Sequence, residues 1–363
     1  LRDHGSFHVE GTVTMTISNI RKSSTFLVLG LTGLLLSCSD ESLGPGEESS
    51  NSNEAEITDK MIAAIETITL ARAENGIVPR LNQAKSLGCF NAEFTVEQNL
   101  PANLRHGLFA QPGAHNSLVR FANASTADDR DKDFRGMSIK VFDVNGQPLW
   151  GEAGQQDFLM NSYPALFAAN PDEFLAFIEA TADDAMWKFF INPFNWDSVA
   201  IMLKGREKIT SPFDINYWST TPYRLGPDAG IAVKYAALSC SATPGQMPNE
   251  ADENFLRTVM QQQLTTGEAC FDFMVQFQQD PDAMPVEDAS VIWDEGDAPY
   301  QKVARLTFSD QDFASPAALA NCESQRFNPW QSLSDHRPLG GINRVRQAVY
   351  SEAGEFRLQQ SQP

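Results

Sequence analysis

The chain has 363 residues, 42% hydrophobic and 20% charged, enough to bury a substantial core. Its 47 acidic and 27 basic residues give a formal net charge of −20. That charge repels nucleic acid and anionic lipid headgroups, so DNA binding, RNA binding and polybasic membrane docking are excluded as functions.

The N-terminal region reads as an address. Arg21 and Lys22 precede the apolar run Phe26–Leu36, which is followed by Ser37 and Cys38. A basic start, an apolar stretch of this length and a small residue before the cut predict a secretory signal over residues 1–37. Met15 is the expected start, with 1–14 an extension of the gene model. Leu35 to Cys38 resembles a bacterial lipobox, which makes Cys38 the expected lipid-anchored residue. Ser39 after it favours the outer membrane, facing the periplasm. Residues 38–58 hold six acidic and no basic residues among Ser, Asn and Gly, a composition that predicts a flexible tether. Residues 59–363 are then the folded domain. Cys89, Cys240, Cys270 and Cys322 allow two disulfides in an exported chain, with the pairing left open by the sequence. No Cys/His spacing points to zinc.

A first helix is predicted over 59–74, with Met61, Ala64, Ile65, Ile68 and Ala71 on one face and Gly76 as its stop. Seven strand-like runs follow at 92–96, 118–122, 137–142, 157–160, 231–238, 270–277 and 302–308, separated by Gly, Pro, Asn and Asp. Asn170 and Pro171 open an intervening helix as cap and first residue, with Phe174, Phe177 and Ile178 as its apolar stripe. A last helix starts near Gly341, with Ile342, Val345 and Val349 facing inward. The Gly340-Gly341 pair reads as a turn. Seven or eight mostly antiparallel strands with helices inserted in the middle and at the end predict an α+β fold, a closed barrel of about eight strands decorated with helices.

On the last helix Arg346 and Tyr350 are four residues apart and share a face. A guanidinium beside a phenol favours the phenolate, and a phenolate is one of the few protein groups that ligates haem iron axially.

Four separated segments extend that pair: 80–89, 118–140, 156–167 and 327–350. In that order and rough spacing they resemble the catalase superfamily, and within it a small, single-domain bacterial branch, over residues ~60–360. The resemblance implies a catalase-like barrel and haem b as cofactor. Tyr350 would be the iron ligand, with Arg346 beside it. Arg80 and Arg120 would pair with the haem propionates, as charge-assisted guanidinium bonds suit them to do. Phe121 and Phe167 would wall the pocket. Asn161 would meet the bound peroxide. The segment 217–226 is also similar to this branch.

At the family's distal histidine this chain has Gln83, and where the family commonly orients that histidine with serine it has Ala122. Glutamine cannot ionise, and general acid–base help is worth roughly 10²- to 10⁴-fold in rate. Expected, then, is an envelope haem protein that binds a small hydroperoxide and turns it over slowly, with Gln83 and Asn161 as candidate catalytic residues. The alternative is a non-catalytic module that binds, stores or senses haem. His106, His115 and His336 are weighed as substitute bases and read instead as turn, solvated and capping residues. The chain is expected to be a monomer or loose homodimer.

Overall fold

The computed structural model describes residues 43–227 and 230–361. The signal run, Cys38 and the start of the acidic stretch lie outside the described residues.

Nine strands form one antiparallel sheet: β1 (Lys85–Val96), β2 (Gly113–Asn123), β3 (Arg135–Phe142), β4 (Gln155–Asn161), β5 (Tyr217–Trp218), β6 (Tyr223–Arg224), β7 (Ala232–Ser239), β8 (Ala269–Phe277) and β9 (Gln301–Phe308). Their order is β5-β4-β3-β2-β1-β9-β8-β7-β6, and a further pairing of β5 with β7 closes the ring. Eight strands therefore make a closed barrel, with β6 as a short addition. The seven strands expected from sequence coincide with β1–β4 and β7–β9, six lying wholly inside and the run 231–238 beginning one residue before β7. The two-residue strands β5 and β6 are too short to carry a period, which is why alternation alone does not reveal them.

The barrel is packed with aromatic rings rather than hollow. Phe90, Phe94, Phe121, Phe158, Phe213 and Phe271 are all buried inside it. Side chains alternate along each strand. On β2, Val119 and Phe121 point into this core, so Arg120 points out through the wall. The pairings Arg120↔Ser138 and Ala122↔Gly136 continue to Leu159 and Asn161 on β4. These residues form two rows on the barrel's outer face.

Seven helices accompany the barrel: α1 (Glu54–Ala71), α2 (Pro171–Ala182), α3 (Met186–Ile191), α4 (Trp196–Gly205), α5 (Phe255–Thr266), α6 (Pro316–Ser324) and α7 (Gly341–Gln360). α1, α2 and α7 pack together through Met61, Ile65, Ile68, Ile178, Val345 and Val349. The α2 cap is as expected, the Asn170 side chain accepting the Glu173 N–H at 3.1 Å. Gly340 is obligatory at the entry to α7. Its φ is +85°, and a Cβ there would lie 2.4 Å from the Val286 carbonyl oxygen.

The tether reading needs correction over its described part, 43–58. α1 starts at Glu54 rather than near residue 59. Glu48 accepts the Gly340 N–H at 2.9 Å and pairs with Arg344 at 2.9 Å. Glu54 reaches the same guanidinium at 2.6 Å, and Glu287 does so at 2.9 Å. Acidic residues without an apolar face can still be ordered when a distant cation collects them. The carboxylates also meet the positive end of the α7 dipole. The disulfides join Cys89 to Cys322 and Cys240 to Cys270.

Candidate functional site

A cavity of about 480 Å³ lies between the outer face of the barrel and the helical layer. Ligand pockets typically hold a few hundred to a thousand Å³. Its walls bring together Arg80, Gln83, Arg120, Asn161, Phe167, Arg346 and Tyr350, seven of the eight residues singled out in the sequence. Phe121 is the exception. Strand alternation turns it into the barrel core, where it packs edge-on against Phe90 and Phe213. It is a core residue and walls nothing.

α7 supplies one side of the cavity. Arg346 Nη2 donates to the Tyr350 hydroxyl oxygen at 3.1 Å, and Nη1 donates to Asn343 Oδ1 at 3.1 Å. Thr221 Oγ1 completes the grip at 3.4 Å. Burial opposes the Arg346 charge, yet the Tyr350 and Tyr223 oxygens beside it hold its pKa above the ordinary value. Asn343 Nδ2 in turn donates to the Pro222 and Leu339 carbonyls at 2.9 and 3.0 Å. This gives the 217–226 segment a physical role. Its strand β5 closes the barrel, and the turn between β5 and β6 buttresses Arg346 through Thr221.

The barrel supplies the facing side. Gln83 has a left-handed backbone, φ +58°, a conformation uncommon for a residue of its size. Its N–H donates to the Ala124 carbonyl at 2.8 Å. The side-chain amide lies flat on Gly136, where a Cβ would fall 2.0 Å from Gln83 Cδ. Gly136 pairs with both Ala122 and Asn161 across the sheet, so Gln83 and Asn161 are neighbours on one patch of wall. The Asn161 Oδ1 accepts the Ser162 N–H at 2.9 Å, which fixes the amide's orientation.

No histidine lines the cavity among the described residues. His336 is fully buried rather than a surface cap. It bonds Tyr235 through Nδ1 at 2.8 Å and accepts the Leu108 N–H at Nε2. Burial holds its pKa down to about 3. His115 bonds the Phe142 carbonyl at 3.2 Å, and His106 packs on Gly226.

Cationic side chains gather along one side of the cavity. Arg120 Nε and Nη2 donate to Glu323 Oε1 at 3.1 and 3.0 Å, and Arg80 Nε donates to Glu323 Oε2 at 3.2 Å. Arg357 approaches the same carboxylate at 3.9 Å. Burial pulls Arg120 and Arg357 down to about 10, and the nearby Arg80 adds to the effect in both. Burial also opposes the Glu323 charge, but Arg120 and Arg80 outweigh it and keep that carboxyl below its usual range. Three guanidiniums against one carboxylate leave an uncompensated charge of about +2. The buried Nη2 of Arg357 has no hydrogen-bond partner.

Glu323, Arg357, Asn343 and Thr221 are participants that motif reading missed. Arg357 follows Tyr350 by seven residues, two turns along the same helix face, so its signal was present. Asn343 precedes Arg346 by three residues and is legible in the same way. Glu323 has no local signal beyond standing next to Cys322, whose disulfide to β1 brings it to the site.

The donor set suits a ligand that carries two carboxylates. Two unpaired positive charges and an orphaned guanidinium nitrogen match two carboxylates on one flat ligand. Among the described residues no group of three His, Cys, Asp or Glu side chains could hold a metal ion.

A closed eight-stranded antiparallel barrel flanked by helices, with its cavity outside the barrel wall, defines the catalase-like fold. Among solved structures the chain is similar to catalase A from Saccharomyces cerevisiae, at 18% identity and a TM-score of 0.61. It is similar to a fungal catalase at 19% and 0.62, and to a bacterial catalase at 16% and 0.57. The chain is covered over 80%, 81% and 93% of its length in these comparisons. It spans only 62%, 62% and 68% of theirs. At such identities the likeness shows the fold alone. No family model and no curated protein sequence matches the chain.

Proposed function

We propose that this chain is a haem b protein that binds hydroperoxides and turns them over slowly, in the manner of a peroxidase rather than a fast catalase. The observation that carries this reading is the cavity itself. It presents a phenol backed by a guanidinium from α7, two side-chain amides from the barrel wall and an excess of guanidinium charge beside them.

Tyr350 would hold the iron, with Arg346 fixing its oxygen and Asn343 and Thr221 fixing Arg346. Arg80 and Arg120 would take the propionates, joined by Arg357, with Glu323 setting their positions. When bound, the haem would supply the redox chemistry that no side chain here can provide. Gln83 and Asn161 can donate and accept hydrogen bonds to an O–O group and so orient it. Neither can carry a proton from one peroxide oxygen to the other as an imidazole would, and that sets the expected rate low.

The missing base also favours a second reading, a module that binds haem without turning anything over. Export with a lipid anchor at Cys38 is proposed for either, on the sequence alone.

An absorption spectrum of the purified full chain after addition of hemin tests the cofactor assignment. A Soret band that survives gel filtration is expected; a colourless protein overturns it. Holoprotein given an organic hydroperoxide and a reducing co-substrate then separates the two readings, by sustained peroxide loss under the first and none under the second.

A further inference from the structure

Six of the thirteen exposed large hydrophobic side chains among the described residues fall within the stretch from α3 to α4, residues 186–205. Phe194 is 90% exposed, Leu203 73%, Ile191 66%, Trp196 61%, Trp187 60% and Phe190 47%. Burying such side chains is favourable, so a cluster left in water is a costly surface.

The tips are held outward by a built turn. Asn192 Oδ1 accepts the Phe194 N–H at 3.1 Å, and the buried Asn195 Nδ2 donates to the Phe189 carbonyl at 3.0 Å. The same two helices face the cavity with Met186, Phe190 and Met202. Phe190 both lines the cavity and reaches solvent, so one apolar side chain links this surface to the site.

Charge narrows the choice of occupant. This stretch carries Lys188 and Lys204 against Asp197 alone, in a chain whose net charge is −20. Lys188 Nζ lies 5.9 Å from the Trp187 ring centroid. Exposed Trp and Phe with lysine stems beside them are the composition of a bilayer interface, where rings settle at headgroup depth and ammonium groups reach the phosphates. A second copy would bring another strongly acidic body towards the first.

We propose that residues 186–205 form a docking surface for a zwitterionic phospholipid bilayer. The surface stands on exposed residues and is independent of what the cavity holds.

The test uses the full chain with phosphatidylcholine vesicles whose acyl chains are brominated, which quenches tryptophan only where it penetrates. Quenching is expected, and it should disappear in Trp187→Phe/Trp196→Phe although four other tryptophans remain. Phe194→Asp/Leu203→Asp should weaken the lipid dependence at least about tenfold, with circular dichroism and thermal unfolding unchanged because both side chains are exposed. Quenching that persists in the double Trp→Phe variant overturns the proposal. So does a concentration-dependent dimer, abolished by Phe194→Asp, in a protein that brominated lipid does not quench.

Discussion

Arg346 meets Tyr350 twice, through an Nη2 to hydroxyl hydrogen bond of 3.1 Å and with its guanidinium carbon 4.9 Å from the ring centroid. The i,i+4 spacing on α7 sets both contacts. Their strength comes from elsewhere, because Asn343 and Thr221 hold the guanidinium from behind.

Tyr350→Phe removes the oxygen and keeps the ring, so the fold should persist while hemin retention falls and the Soret band shifts. Arg346→Leu should leave a weaker but detectable complex, because the phenol remains. Gel filtration of hemin-loaded variants, read by absorbance, checks both. Wild-type retention in Tyr350→Phe would remove that residue as the iron ligand.

Gln83→His restores an ionisable group at a position whose left-handed backbone histidine tolerates better than most residues do. Peroxide turnover by the holoprotein should rise, by up to roughly 10²- to 10⁴-fold if proton transfer is the missing step. Gly136→Ala should act in the opposite direction, since its Cβ must push the Gln83 amide off the wall. Oxygen release and co-substrate oxidation measured side by side distinguish the two activities. An unchanged rate in Gln83→His would take this position out of the chemistry.

Arg120→Met separates a ligand-binding role from a structural one. Arg120 is buried beside Arg80, and both share Glu323. Removing one partner of a buried ion pair is costly when it leaves the other charge uncompensated, but here the one carboxylate is shared by three guanidiniums. Glu323 keeps Arg80 as a partner. Urea unfolding of the hemin-free variant should therefore show stability close to wild type, lowered only by the lost bond to the Gln83 carbonyl, while hemin affinity drops. A parallel fall in both would make Arg120 a structural cation only.

The sequence revealed what is periodic or clustered. Strand alternation located seven strands, and the Asn170-Pro171 cap located α2. The spacing of Arg346 and Tyr350 placed one side of the site. Phe121 was misplaced because it is adjacent to Arg120 in the motif, whereas adjacent residues on a strand face opposite sides. The role of Glu48 and Glu54 was hidden because their partner Arg344 lies some 290 residues away, a relation set by tertiary packing. Glu323 was hidden for the same reason, through the Cys89–Cys322 link.

The carboxylates around Arg344 predict how the site responds to acid. Burial opposes the Glu48 charge, but the Arg337 and Gly340 hydrogen bonds lower its pKa below the ordinary 4.5. The Arg344 hydrogen bond lowers Glu54 in the same sense. A group whose native pKa is depressed contributes stability that is fully present above the unfolded value and lost as the pH falls through the native one. The start of α7 should thus stay anchored from neutral pH down to about 4.5 and loosen below it, carrying Arg346 and Tyr350 with it. Hydrogen exchange of α7 amides against pH, alongside hemin release, should report a shared acid transition. In Glu48→Gln/Glu54→Gln, α7 should exchange faster already at neutral pH, with little further change on acidification through this range. If the double variant instead kept the wild-type profile, the clamp would not be what anchors the helix.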